Sequence, residues 1–334
     1  MLLNSDPVGP PRRSTYGVDL RGSLVNPMTD VAFIFPGQGA QFVGMGKEFY
    51  ETSPQARAVF DQADAVMANG LNDVIFNGPS EKLTSTAYCQ PAIFTMSLAS
   101  LKALETHPVY QQMNPRFAAG LSLGEYSALA AAGNLSLTET LRLVQKRSEY
   151  MEEATRKNPG KMAAIIGLDK EKIAAICGQT GAEVANFNSP QQIVITGHAA
   201  KVETAAQQCK EAGAKNVIML DVSGAFHSSL MKVAAEKFAG QLISVDIKEA
   251  KMAVVSNVNG RPAKDVEAIR QNLAKQITSP VQWVESMQYI ASQGVTHFFE
   301  IGPGNVLKGL IRRIDPNLKV HTIAKPSDIE GIAF

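Results

Sequence analysis

The 334-residue sequence predicts an α/β fold, a parallel sheet flanked by helices and interrupted by a small ferredoxin-like subdomain. Three observations carry that expectation. The apolar run Val31-Ala32-Phe33-Ile34-Phe35 ends at Pro36-Gly37, as a strand buried on both faces of a parallel sheet does. Gly120-Leu121-Ser122-Leu123-Gly124 reads G-x-S-x-G, a sharp turn from strand to helix that pushes a serine hydroxyl out beside free N–H groups. Segment 155–222 changes rhythm to strand, helix, strand, strand, helix, strand, the βαββαβ pattern.

Residues 1–27 stand apart. Pro7, Pro10, Pro11 and Pro27 mix with Arg12, Arg13 and Arg21, and no apolar core of a secretory signal is present. They read as an upstream extension or a cloning remnant before a natural start at Met28. A transit peptide fits less well, because Asp6 and Asp19 are present and no amphipathic helix is evident. After the first strand, helical spacing covers 54–69 and 91–105. Phe117-Ala118-Ala119 closes a strand at the elbow, and 125–132 is rich in helix formers and stops at Gly133. Ser136 and Glu139 form a capping box that opens a helix to about residue 154.

In the insert, 162–168 reads as a strand, 170–179 as a helix, and 183–188 and 192–196 as strands joined by the turn Ser189-Pro190-Gln191. A helix at 199–212 and a strand at 216–222 complete it. The larger domain resumes at about 223 with a helix at 228–242, a strand at 252–257, helices around 265–276 and 281–293, and the strand His297–Ile301. Gly302-Pro303-Gly304 leads into a last helix at 306–314. The expected domains are 1–27 as extension, 28–154 with 223–334 as core, and 155–222 as the inserted subdomain.

Composition narrows the class. A hydrophobic content of 45% fills a sizeable core, and a formal charge of +1 gives no global pull toward nucleic acid or membrane. Cys89, Cys177 and Cys209 are far apart and form no C-x-x-C, which argues against a disulfide framework or a zinc site and suits a reducing cytoplasm. No apolar run approaches the ~18 residues needed to span a membrane.

A serine at an elbow needs a base. Of the five histidines, His107 precedes a proline, His198 opens a helix of the insert, and His297 and His321 sit in strand-like runs. His227, in Ser223-Gly224-Ala225-Phe226-His227-Ser228, lies where a strand gives way to a helix and is the preferred base over a structural role. No acid stands out as a third member, since Asp169 and Asp221 both fall in the insert. A dyad with a backbone carbonyl orienting the imidazole is plausible chemistry. On the helix after Ser136, Leu143, Arg147, Tyr150 and Met151 share one face. An arginine among apolar neighbours reads either as a structural ion pair or snorkelling side chain, or as a bidentate clamp for a substrate carboxylate. The loop Pro36-Gly37-Gln38-Gly39-Ala40-Gln41 reads three ways: a phosphate cradle, a plain turn, or a donor of N–H groups beside the elbow. In the last case the N–H groups of Gln38 and Leu123 would make an oxyanion hole.

Together these segments resemble the malonyl-CoA:acyl-carrier-protein transacylase family of fatty-acid synthesis. The resemblance runs from about Met28 to the C-terminal region. It rests on Phe35-Pro36-Gly37-Gln38-Gly39-Ala40-Gln41, Gly120-Leu121-Ser122-Leu123-Gly124-Glu125-Tyr126-Ser127-Ala128-Leu129, Gln145-Lys146-Arg147-Ser148, Asn186-Phe187-Asn188-Ser189-Pro190, Gly224-Ala225-Phe226-His227-Ser228, Ser279-Pro280-Val281-Gln282-Trp283 and Glu300-Ile301-Gly302-Pro303-Gly304. It implies an α/β-hydrolase-like core with a ferredoxin-like insert. It implies Ser122 as nucleophile, His227 as base, Arg147 as carboxylate binder, Gln38 and Leu123 as oxyanion hole, and Gln276 as the residue whose carbonyl orients the histidine. Leu121, Met151 and Phe226 would line the acyl pocket. Leu121 replaces the histidine that most members carry there, and a bulky Phe226 favours malonyl over methylmalonyl.

The implied partners are malonyl-CoA and an acyl carrier protein bearing phosphopantetheine, with no metal or other cofactor, no nucleic acid and no membrane. A cytoplasmic monomer is expected. A malonyl transferase of a polyketide or malonate-decarboxylase system would share nearly every motif. A serine hydrolase or thioesterase would have no need of Arg147, and a non-catalytic carrier-binding module would not need Ser122 with His227.

Overall fold

The computed structural model describes residues 28–68, 70–222, 224–250 and 252–334, with two further strands, β1 (Gly17–Val18) and β2 (Leu24–Val25), that pair antiparallel. Apart from those strands, the extension expected at 1–27 lies outside the described residues. The chain continues through β3 (Thr29–Phe35), α1 (Lys47–Thr52), α2 (Pro54–Met67), α3 (Leu71–Asn77), α4 (Ser80–Thr84), α5 (Thr86–Glu105), β4 (Met113–Gly120), α6 (Gly124–Ala132) and α7 (Leu137–Lys157). The next segment holds β5 (Lys161–Ile166), α8 (Lys170–Thr180), β6 (Glu183–Ser189), β7 (Gln192–Gly197), α9 (Ala199–Glu211) and β8 (Asn216–Met219). The chain returns through α10 (Lys232–Leu242), β9 (Ala253–Val255), α11 (Val266–Gln276), α12 (Trp283–Ser292), β10 (His297–Ile301), α13 (Val306–Ile314), β11 (Lys319–Ile323) and α14 (Pro326–Glu330).

Two sheets result. Five strands in the order β11-β10-β3-β4-β9 pair parallel throughout. Four strands in the order β6-β7-β5-β8 pair antiparallel throughout, which is the ferredoxin-like arrangement. Alternation along β3 explains why the parallel sheet is covered on both faces. Val31, Phe33 and Phe35 enter the core that contains Ile93, Phe94 and Ala128, while Ala32 and Ile34 pack with Trp283, Ile290 and Leu307. The loops after β3 and β4 therefore emerge side by side at the carboxyl ends of neighbouring strands, where α/β sheets build their sites.

Several elements differ from expectation. Helix α5 begins at Thr86, five residues before Pro91, which reads in sequence as a first-turn proline. Sixteen of its twenty residues are buried, so it has no polar face to mark its start. Strand β8 stops at Met219 because its ladder with β5 ends, the last bond running from the Leu220 N–H to the Met162 carbonyl at 2.9 Å. Strand β9 spans three residues, since β4 turns into the elbow beyond Ala119 and leaves no neighbour. A single 3₁₀ turn, Ser229–Met231, precedes α10, and α13 is followed by β11 and α14 rather than ending the fold.

Glu300, at the end of β10, is fully buried and caps α13. Its two carboxylate oxygens accept from the N–H groups of Leu307 and Lys308, both at 2.8 Å. Burial raises its pKa and those two donors pull it back down. Glu300→Ala orphans two helix N–H groups, and a urea titration is expected to show a loss of about 2 kcal/mol.

Candidate active site

Backbone geometry builds the elbow. Ser122 has φ 53°, in the left-handed region that non-glycine residues enter at a cost of ~1–3 kcal/mol. The flanking glycines make the turn sterically feasible. A Cβ on Gly120 would lie 1.9 Å from the Gly124 carbonyl carbon, and one on Gly124 would lie 2.2 Å from the Phe35 carbonyl oxygen. Strand β4, helix α6 and the end of β3 thus touch backbone to backbone, which aims the Ser122 hydroxyl over the strand ends.

His227 also has a left-handed backbone, φ 58°, and is buried. Ser122 Oγ lies 2.8 Å from His227 Nε2. On the other side of the ring, Nδ1 lies 2.9 Å from the Gln276 carbonyl oxygen and 3.1 Å from that of Ser279. Carbonyls only accept, so Nδ1 carries the proton and neutral Nε2 presents its lone pair to the serine. Two carbonyls thereby supply the orientation that a carboxylate gives elsewhere.

Arg147 is 1% exposed on α7, and the ion pairs among the described residues do not include it. Neutral groups hold it instead. Nη1 donates to Gln90 Oε1 at 2.7 Å, while Nη2 donates to Ser122 Oγ at 3.0 Å and to Gln276 Oε1 at 3.1 Å. The guanidinium stands 5.3 Å from the centroid of the Tyr126 ring. Nε has no partner. A buried cation held only by neutral acceptors is poised for an external anion.

These groups face a cleft of about 210 Å³. The core contributes Gln38, Leu121, Leu123, Met151 and Phe226 to its walls, and the antiparallel sheet contributes Met162, Asn186, Asn188 and Val194. Every residue to which the resemblance gives a role thus lines the cleft or, for Gln276, bonds to its lining. Leu121 is half-buried against the Trp283 side of the core, so its side chain offers the cleft an apolar surface. Among the described residues no group of three His, Cys, Asp or Glu side chains is arranged to hold a metal ion, and no helix is long and apolar enough to cross a membrane.

A family model described as an acyl transferase domain matches residues 32–324. The malonyl CoA-acyl carrier protein transacylase of Bacillus subtilis (strain 168) is 45% identical over 308 residues, 91% of this chain and 96% of that protein. The chain belongs to the malonyl CoA-acyl carrier protein transacylase family. Solved relatives of this family superpose closely. The acyl-carrier-protein S-malonyltransferase of Bartonella henselae, 41% identical, has a TM-score of 0.86 with 90% of this chain and 98% of that one covered. A malonyl-transacylase solved in complex with its type II polyketide synthase acyl-carrier protein is 38% identical, with the same TM-score and the same coverage.

In this transacylase-family chain, sequence reasoning missed four contributors. Gln90 sits mid-helix in α5 among apolar residues, Glu125 lies buried directly after the elbow, and Asn257 follows β9. Ser279 supplies its carbonyl from a turn. A polar residue inside an apolar run was the available signal for Gln90 and Glu125, while Asn257 and Ser279 resemble any turn residue.

Burial, and then the charge of Arg147, lower the His227 pKa to about 4, with the two carbonyls pulling it back up. The imidazole is therefore neutral and able to accept a proton throughout the range above pH 5. Histidine-selective NMR is expected to show His227 titrating near pH 4. Arg147→Met should move that midpoint upward, because the second cause of its depression is gone.

Proposed function

We propose that this chain transfers a malonyl group from malonyl-CoA to the phosphopantetheine thiol of an acyl carrier protein, through a malonyl ester on Ser122, and so supplies fatty-acid synthesis. The observation that carries this reading is Arg147, a buried guanidinium that makes no ion pair with a described carboxylate, 3.0 Å from the Ser122 hydroxyl. A malonyl group bears a free carboxylate two bonds from its thioester carbonyl. A hydrolase acting on neutral acyl groups has no use for that cation. The names of the Bacillus and Bartonella relatives state this activity, and the polyketide relative was solved with its carrier.

Ser122 Oγ attacks the thioester carbonyl as its proton passes to His227 Nε2 across 2.8 Å. The N–H groups of Gln38 and Leu123 meet the oxyanion of the tetrahedral intermediate. The intermediate collapses, the carbon–sulfur bond breaks, and the CoA thiolate leaves with the proton from His227. In the second half the carrier's thiol gives its proton to His227 and attacks the ester. Ser122 then departs with that proton and the enzyme is restored. Gln276 holds the imidazole through its carbonyl, and Phe226 leaves little room for an α-methyl group beside Met151 and Leu121. Each step uses the chain's own side chains and backbone, so the cycle calls for no metal or redox cofactor. A reducing cytoplasm, where malonyl-CoA and free buried thiols coexist, is the setting this chemistry suits.

Intact-mass spectrometry after mixing with malonyl-CoA is expected to show one malonyl adduct on Ser122, absent in Ser122→Ala and discharged only when pantetheinylated carrier is added. An adduct that decays equally fast without carrier would mark a hydrolase and overturn the proposal. Arg147→Ala leaves the substrate carboxylate unpaired in a buried site, a loss of roughly 3–5 kcal/mol. The ratio of malonyl to acetyl transfer, measured as kcat/KM, should therefore fall by about 150- to 5,000-fold.

A further inference from the structure

The parallel ladder between β4 and β9 ends at the pair Ala119↔Val255, just where β4 turns into the elbow. Two residues later, a side chain takes over from the backbone. Asn257 Nδ2 donates to the Gly120 carbonyl at 2.7 Å, and the Ser122 N–H donates to Asn257 Oδ1 at 2.7 Å. A primary amide carries a donor and an acceptor in the layout of a peptide group, so it extends the sheet across the turn. These two bonds also fix which way the amide points, since the reverse orientation would set acceptor against acceptor and donor against donor.

Asn257 is itself held on every side. It is 1% exposed, its carbonyl accepts from the Gln282 N–H at 2.8 Å, and its N–H donates to Glu125 Oε2 at 3.2 Å. Glu125 is 3% exposed, and the same oxygen accepts from Gln276 Nε2 at 2.6 Å. Gln276 Nε2 donates also to the Ser122 carbonyl at 3.0 Å. Gln276 then reaches both remaining parts of the site, His227 through its carbonyl and Arg147 through Oε1. One buried chain of hydrogen bonds therefore runs from the Ser122 N–H to the imidazole and the guanidinium.

We propose that Asn257 and Glu125 are the positioning residues of this site. Asn257 holds Ser122 in its left-handed backbone by completing the β-ladder across the elbow, and Glu125 ties Asn257 to Gln276. The inference rests on the reading of Ser122, His227 and Arg147 given above. Because the Ser122 N–H is occupied by Asn257, it is withheld from the oxyanion, which leaves that duty to Leu123 and Gln38.

The two residues should fail differently. Asn257→Ala frees the elbow alone, so kcat for malonyl transfer falls about 10²-fold, the size of effect a displacement near 1 Å produces, with KM changed less than about twofold. Glu125→Ala also releases Gln276 from its hold beside Arg147, so KM for malonyl-CoA rises as kcat falls. Glu125→Gln keeps an oxygen where both donors need it and restores most of the rate lost in Glu125→Ala. Asn257→Asp keeps the acceptor for the Ser122 N–H but loses the donor to Gly120, and should fall between wild type and Asn257→Ala. It carries the test if the alanine variant does not fold.

A second readout separates this inference from the transacylase reading. A fluorophosphonate forms an Oγ–phosphorus bond with Ser122 as fluoride leaves, and needs no malonyl group. Its labelling rate, corrected for the folded fraction from thermal melting, should drop in Asn257→Ala and Glu125→Ala and recover in Glu125→Gln. Labelling at the wild-type rate per folded molecule in Asn257→Ala, or in Asn257→Asp if only that variant folds, overturns the inference. So does a Glu125→Gln variant as slow as Glu125→Ala. A wild-type chain that labels at Ser122 but takes no malonyl group would sink the proposed function instead, with the labelling series still deciding the positioning roles.

Discussion

Removing a guanidinium from water costs several kcal/mol unless the charge is matched, and Arg147 is 1% exposed with neutral amides and a hydroxyl as its acceptors. Much of the surrounding structure follows from keeping that charge in place. Helix α5 brings Gln90, α11 brings Gln276 and α6 brings the Tyr126 ring, so three elements besides α7 converge on one side chain. Burial, and then this same charge, lower the pKa of His227, which keeps that imidazole neutral beside the serine. Specificity and readiness to accept a proton are thus coupled through one cation.

Strain is concentrated where the chemistry sits. Ser122 and His227 are two of the three non-glycine residues with positive φ among the described residues. Each is held by groups distant in sequence, Ser122 by Asn257 and His227 by the carbonyls of Gln276 and Ser279. Unfavourable backbone conformations persist when their surroundings over-determine them. Here the surroundings are buried and partly buried hydrogen bonds, which strengthen as water is excluded. The antiparallel sheet adds to that exclusion by closing one side of the cleft with Met162 and Val194.

The sequence was most informative where sterics or periodicity impose the residue type. The elbow glycines had to be glycines, the strand at Val31–Phe35 had to be apolar on both faces, and the 3.6-residue spacing of α7 placed Arg147 beside Met151. It was least informative where pairing decides the outcome. Strand β8 was expected to be longer because Leu220 and Val222 continue its apolar pattern past the end of its ladder, and β9 because nothing local shows that its partner turns away beyond Ala119. Helix α5 lost its first turn to Pro91, since a helix buried all round shows no amphipathic pattern. The partners of Asn257 and Glu125 were hidden for a related reason. Their decisive contacts span 135 and 132 residues, and no local spacing encodes them.

Gln90 and Gln276 give Arg147 two of its hydrogen bonds, through oxygens that have no other donor among the described residues. This ties three positions, 90, 147 and 276, into one evolutionary unit. A descendant that exchanged the arginine for an apolar residue, to take uncharged acyl groups, would leave two buried amide oxygens without partners. The first step of such a path is therefore destabilising, and it becomes tolerable only with compensating changes at the two glutamines. Selectivity for an acidic acyl group is protected here by epistasis, because the cost of losing the charge falls on neighbours that never meet the substrate's thioester.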